Sequence, residues 1–179
     1  MKQPATPFVA PAPTPPAAGP KPGYRVPPPE VISAAQNMQR RWGVPASLSL
    51  AQWATESRWG AGMPKDSDNP FGIKAVGNQP SVTVQTKEYK NGKPVTVPQN
   101  FRKFASLDDA WEARSKMLAT SPLYAKARPL MRDPNGFADA IAGTYAPGNP
   151  HYATAIKAMM QGNHLYQYDS LPEAPAAPR

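Results

Sequence analysis

Glu56 stands in A-T-E-S-R-W-G, Ala54 to Gly60, near the end of a segment that otherwise reads as a buried helix, with Trp53 before it and Trp59 after it. A carboxyl shielded by indole rings at a helix end is desolvated, which raises its pKa and suits it to donate a proton near neutral pH. The competing reading is an ordinary ion pair with Arg58, Arg40 or Arg41, the commoner fate of a helical Glu. A second carboxylate, Glu88, lies in T-K-E-Y-K-N-G on an exposed hairpin. One shielded and one exposed glutamate would have their pKa values pushed apart, which separates acid from base. The bland alternative for Glu88 is a cross-strand pair with Lys87, Lys90 or Lys93.

The elements that must position these residues are mostly helical. Val31, Ala34, Ala35 and Met38 recur at helical spacing up to Trp42, where Gly43 and Pro45 stop the helix. A second helix is expected from about Ser47 to Trp59, with Leu50, Trp53 and Ala54 on one stripe and Gly60 as its cap, so Glu56 falls in its last turn. V-T-V-Q-T-K-E-Y and P-V-T-V flank Asn91-Gly92, a hairpin signal that predicts strands near 81–89 and 94–98. Ser106 and Asp109 form a capping box before Leu107, Ala110, Trp111, Met117 and Leu118. A shorter helix covers about Asn135 to Thr144. A last one runs from Asn149, with Pro150 at its first position, to Gly162, turning Tyr152, Ile156, Met159 and Met160 inward.

Length and composition set the outer limits. The chain of 179 residues suits one globular unit, and 11 of its 25 prolines fall in the first 29 residues, so that stretch reads as an extended Pro/Ala-rich linker. Residues 170–179 read as a similar tail, leaving 30–169 as the folded domain. The net charge of +8 favours anionic surroundings, whether nucleic acid, a membrane surface or an acidic wall polymer. No nucleic-acid recognition signature is present, and no stretch is apolar enough to span a bilayer. The absence of Cys excludes disulfides and a thiol nucleophile. His151 and His164 lack neighbours at ligand spacing, so they read as surface residues and no metal site is expected.

Several stretches in order resemble one family. A-Q-W-A-T-E-S-R-W-G is similar to the A-Q-x-x-x-E-S-x-W-G signature of bacterial peptidoglycan glucosaminidases, glycoside hydrolase family 73, found in flagellum-associated muralytic enzymes and autolysins. N-P-F-G-I-K-A, T-K-E-Y-K-N-G with F-R-K-F-A-S, and T-Y-A-P-G-N-P-H-Y-A resemble that family's later segments. The resemblance implies an α+β fold that is mostly α, a lysozyme-like helical lobe with a small inserted β-hairpin lobe and the glycan in the cleft between them. It implies Glu56 as general acid, Glu88 as base or stabiliser of an oxocarbenium-like transition state, and Tyr145 as a supporting catalytic tyrosine with Tyr152 in the same motif. Trp59, Asn69, Phe71, Gly72 and Lys74 are then cleft and sugar contacts, against the alternatives of a packed loop and, for Phe71 and Trp59, simple burial. Lys74 is also suited to an anionic lactyl or peptide carboxylate. The chain departs from the pattern at Arg58, where the family usually has Gly, and at P-G-N-P, where it often has T-D-P. Arg58 would hold a substrate carboxylate or lower the pKa of Glu56.

The expected activity is hydrolysis of the β-1,4 bond after N-acetylglucosamine in peptidoglycan, without metal or organic cofactor, by a monomer acting in the periplasm or at the cell wall. The alternatives are a muramidase or lytic transglycosylase, and a non-catalytic wall-binding module. With no ordinary secretory signal at the N-terminus, delivery by phage lysis or a specialised secretion system is expected. The latter would bring a cognate immunity protein as partner.

Overall fold

A computed structural model describes residues 24–90 and 93–169, and side chains at 24–86 and 95–169. Five α-helices lie among the described residues: α1 Pro29–Trp42, α2 Ala46–Glu56, α3 Leu107–Thr120, α4 Pro134–Tyr145 and α5 Tyr152–Gly162. Between α2 and α3 an antiparallel pair is inserted, β1 Ser81–Lys90 and β2 Lys93–Arg102. This is the mostly α arrangement with one hairpin that the sequence predicts. No described helix is long and apolar enough to cross a membrane.

The helix limits follow local chemistry. α1 starts with Pro29 at its first position and ends where Gly43 turns left-handed at φ 77°, its N–H returning to the Gln39 carbonyl. Ser106 caps α3 by accepting the Asp109 N–H at 3.2 Å. α5 begins at Tyr152, three residues later than the sequence predicts, because the Asn149 side chain takes the His151 N–H at 3.1 Å and holds 149–151 in a turn. Leu107, placed by its spacing on the inward stripe of α3, is instead exposed beside the cap.

α2 is the central helix. Every residue from Ala46 to Ala54 is buried, Ser47, Ser49 and Gln52 included, so it carries no polar face of the kind an amphipathic stripe implies. α1, α4, α5 and the short turn Leu165–Asp169 surround it. Leu48 and Leu50 are fully enclosed, each worth about 1.5–3 kcal/mol of burial.

The residue preceding α2 is Pro45, which has no side-chain acceptor for the helix amides, and that role passes to Asp169, whose Oδ1 accepts the Ser47 N–H at 2.8 Å. Close by the same end of the chain, the Arg25 N–H donates to Asn163 Oδ1 at 3.0 Å and the Tyr24 ring meets His164 edge-on at 5.0 Å. Contacts with the helical body therefore reach back to Tyr24, before the expected boundary at residue 30. The Asn91-Gly92 turn, residues 1–23 and the tail from 170 lie outside the described residues.

The hairpin pairs Ser81 with Arg102 through to Lys90 with Lys93, so β2 begins one residue earlier and ends four residues later than its alternating pattern predicts. The return segment is held by a third segment of the chain: Lys74 bridges Phe101, and the Arg102 N–H donates to the Ile73 carbonyl at 2.8 Å.

Candidate active site

Glu56 is the last residue of α2, which stops three residues before the end predicted from sequence. The stop is made by Ser57, whose buried hydroxyl donates to the Trp53 carbonyl at 2.6 Å and accepts the Gly60 N–H at 2.7 Å. Arg58, Trp59 and Gly60 then turn left-handed in succession, at φ 49°, 60° and 87°. For the two residues with side chains this conformation costs on the order of 1–3 kcal/mol each. Hydrogen bonds from Trp59 N–H to the Ala54 carbonyl (2.9 Å) and from Gly62 N–H to the Ser57 carbonyl (2.7 Å) offset part of that cost. The abrupt turn leaves Glu56 at the tip of an otherwise enclosed helix.

The Glu56 side chain is open to solvent, yet the surrounding protein desolvates its carboxyl enough to raise its pKa. None of the arginines offered by the sequence pairs with it. Arg41 lies 3.4 Å from Glu112, Arg40 bonds Asn37, and the Arg58 guanidinium folds against Gly62, where an added Cβ would collide with it. The expected lowering of the Glu56 pKa by Arg58 is not found, and the shift runs upward.

Two tyrosines stand beside Glu56 and feel its charge. Tyr145 ends α4 and Tyr152 opens α5, their rings 5.6 Å apart and tilted by 30°. Desolvation raises both hydroxyls, Tyr145 to about 12, and the Glu56 charge adds to each shift. Both are therefore neutral donors at physiological pH. The Tyr152 hydroxyl accepts a bond from the Gln52 amide, one turn before Glu56 on α2. Behind Tyr145 lies Arg114 of α3, fully buried, with Nη1 donating to Ser49 Oγ at 2.8 Å and its guanidinium carbon 5.5 Å from the Phe71 ring centre.

The remaining predicted site residues are distributed unevenly. Glu88 lies on β1 opposite Val95, and its side chain is outside the described residues. Asn69 is fully buried: its amide donates to the Ile73 and Arg102 carbonyls at 2.8 and 2.9 Å, and its oxygen accepts the Ile73 N–H at 3.0 Å. It clasps the loop to β2 and has no donor left for a sugar. Phe71 is core, edge-on to Trp111 at 4.8 Å. Gly72 takes φ 59°, which a side chain would strain, and Lys74 is exposed on the bridge to Phe101. Trp59 meets Trp53 edge-on at 5.8 Å, and the Arg25 guanidinium sits 4.7 Å above its ring. Its indole therefore lies under the incoming N-terminal segment. Among the described residues no three His, Asp or Glu converge as a metal-holding group.

The family model described as mannosyl-glycoprotein endo-beta-N-acetylglucosaminidase matches residues 32–165, from α1 to the last turn, with Glu56 and both tyrosines inside. The chain belongs to the glucosaminidase family. Peptidoglycan hydrolase FlgJ of Escherichia coli K12 is 35% identical over 136 residues, which cover 71% of this chain and 42% of FlgJ. A probable N-acetylmuramidase of Lactococcus lactis IL1403 is 30% identical over 152 residues, 80% of this chain and 34% of that protein. The chain thus spans less than half the length of these relatives. Among solved structures, the catalytic domain of the Listeria monocytogenes autolysin Auto superposes with a TM-score of 0.66 at 29% identity, covering 78% of this chain and 84% of that one. The glucosaminidase assignment makes this a glycoside hydrolase fold with its helical body and inserted hairpin in place.

Sequence reasoning missed two members of this glucosaminidase's site, Gln52 and Arg114. Each left a signal. Gln52 precedes Glu56 by four residues and so shares its face of α2. Arg114 falls with Trp111 and Leu118 on the apolar stripe of α3, where a charge is out of place unless it is used.

Proposed function

We propose that this chain hydrolyses peptidoglycan glycan strands, cleaving the β-1,4 bond after N-acetylglucosamine, with Glu56 as general acid. The observation that carries this reading is a carboxyl at a helix tip, open to solvent, with no ion-pair partner among the described residues and its pKa raised by desolvation, beside two neutral tyrosines. In its protonated form Glu56 protonates the leaving oxygen as the glycosidic bond opens. Tyr145 offers a hydroxyl to the reacting sugar, and Glu88, carried by the hairpin, assists as base or stabiliser. The wall-directed names of FlgJ and Auto support the polymer, and the basic chain suits an anionic one.

The test is digestion of purified peptidoglycan by the wild type and by Glu56→Gln, with mass spectrometry of reduced products. New reducing N-acetylglucosamine ends from the wild type alone are expected. Reducing N-acetylmuramic ends would instead support the second reading, favoured by the name of the Lactococcus relative, and anhydro ends a lytic transglycosylase. Pelleting with the polymer without release by either protein would leave a wall-binding module. The catalytic unit is proposed as residues 30–169 with Pro-rich flanks, delivered to the periplasm or wall by lysis or a specialised export route. An injected version would have a dedicated immunity protein, and affinity capture that recovers none from the producing cell would count against it.

A further inference from the structure

Residues 24–28 precede the region matched by the family model, yet they are fastened to the helical body. The Tyr24 ring meets His164 edge-on at 5.0 Å, its hydroxyl accepts the Gln167 side-chain amide at 3.0 Å, and the Arg25 N–H donates to Asn163 Oδ1 at 3.0 Å. On the other side, Pro27, Pro28 and Pro29 lock three successive φ angles between Arg25 and α1. The backbone of Arg25 is thereby held from both directions. Arg25 is exposed, and its guanidinium lies 4.7 Å above the Trp59 ring.

Trp59 connects this cation to the acid. It is the third residue after Glu56, and its N–H returns to the Ala54 carbonyl at 2.9 Å. Its ring stands edge-on, at 5.8 Å, to Trp53, which lies about one turn before Glu56 on α2. Arg25 therefore ends an aromatic stack that starts at the helix tip. A guanidinium lying on an indole keeps its N–H fork for a carboxylate, and no described carboxylate is within ion-pair distance of this one. We propose that Arg25 is a substrate-binding residue that takes a carboxylate of the peptidoglycan strand, on the stem peptide or the lactyl group, while Glu56 meets the glycosidic bond. Trp59 is then the seat of that cation and not itself the sugar's platform. Holding the backbone in advance lowers the cost of ordering the side chain on binding. The assignment rests on the reading of peptidoglycan as the substrate.

The experiment measures binding to insoluble peptidoglycan by pelleting, in the Glu56→Gln background so that no strand is cut. Native polymer is compared with polymer whose carboxylates have been amidated with carbodiimide and ammonia. Arg25→Met keeps an apolar cover on Trp59 and removes the charge, so on native polymer it is expected to raise Kd roughly 3- to 10-fold with little change in melting. Arg25→Lys, a point charge without the planar fork, should fall between. On amidated polymer the Arg25→Met substitution should cost less than about twofold. An equal loss on both polymers would overturn the proposal, since a packing role does not sense the polymer's charge. Unchanged or tighter binding to native polymer would overturn it too, tighter binding marking Arg25 as a plug over Trp59. Strands stripped of peptides by an amidase carry the lactyl carboxylate alone. A persisting Arg25→Met effect there upholds the proposal with the lactyl group as partner, and a vanished one upholds it with the stem peptide. A parent protein that pellets with neither polymer fails the substrate reading and the proposal with it, whereas one that pellets but ignores the Arg25 substitutions fails the proposal alone.

Discussion

Gln52 donates its side-chain amide to the hydroxyl of Tyr152 across 100 residues of chain, and the same helix face carries Glu56 one turn later. The bond fixes the start of α5 to the second turn of α2. The tyrosine pair is thereby registered against the acid by a fully buried amide, not by the exposed loop of residues 146–151 that joins α4 to α5.

Glu56→Gln should abolish hydrolysis and yet stabilise the fold at pH 7. Desolvation raises the folded-state pKa of Glu56, so the folded form binds the proton more tightly than the unfolded form. The associated stability is present below the unfolded value of about 4.3 and is lost as pH rises through the folded one. Melting curves of both proteins from pH 4 to 8 should therefore diverge with rising pH, the variant lying above. A variant that melts lower than the wild type at pH 7 would mean that the carboxylate has a partner.

The two tyrosines should fail in different ways. Tyr145→Phe removes a donor beside the acid and is expected to lower kcat by roughly 10²-fold with little change in melting. Tyr152→Phe leaves the Gln52 amide buried without its acceptor, costing about 1–3 kcal/mol in urea unfolding with a smaller effect on kcat. Reversed phenotypes would exchange their roles.

Asn69→Ala tests a residue that the family pattern offers as a sugar contact. With three hydrogen bonds inside the protein, its loss should destabilise by roughly 2–4 kcal/mol. At a temperature where the variant is folded, its KM for peptidoglycan should stay within about twofold of the wild type, since loop clasping leaves no group for the glycan. A large rise in KM with normal stability would restore the contact role.

Arg58→Gly should stabilise the protein by about 1 kcal/mol, because position 58 sits in the left-handed region that glycine enters freely. This also explains physically why the family pattern carries Gly there. Urea midpoints compare the two directly, and the activity–pH profile should stay put because Arg58 does not set the Glu56 shift.

The fold was largely legible because its signals are local: the Gly43 stop, the Ser106 cap and the alternating strands all act within a few residues. Glu56 and its desolvation were legible too. What stayed hidden was settled by distant contacts. The end of α2 depends on Ser57 bonding back to Trp53 and on left-handed residues that no propensity favours, so helical spacing alone carried the helix past it to Trp59. Trp59 read as a sugar platform because nothing in its own segment shows that Arg25 covers it. Asn69 reads as a contact because the family resemblance of its loop offers it as one, whereas a partner of its amide lies across the chain at Arg102.

The bond between Asp169 and Ser47 spans 122 residues. Ribosomes deliver a chain from its N-terminus, so a nascent copy holds Glu56 long before it holds the group that completes the helix bearing it. Closing so wide a loop is also slow compared with forming the helices themselves. A piece that arrives late thus seats the central helix, and a chain cut short before Asp169 would possess every residue of the site without the support that keeps them in register.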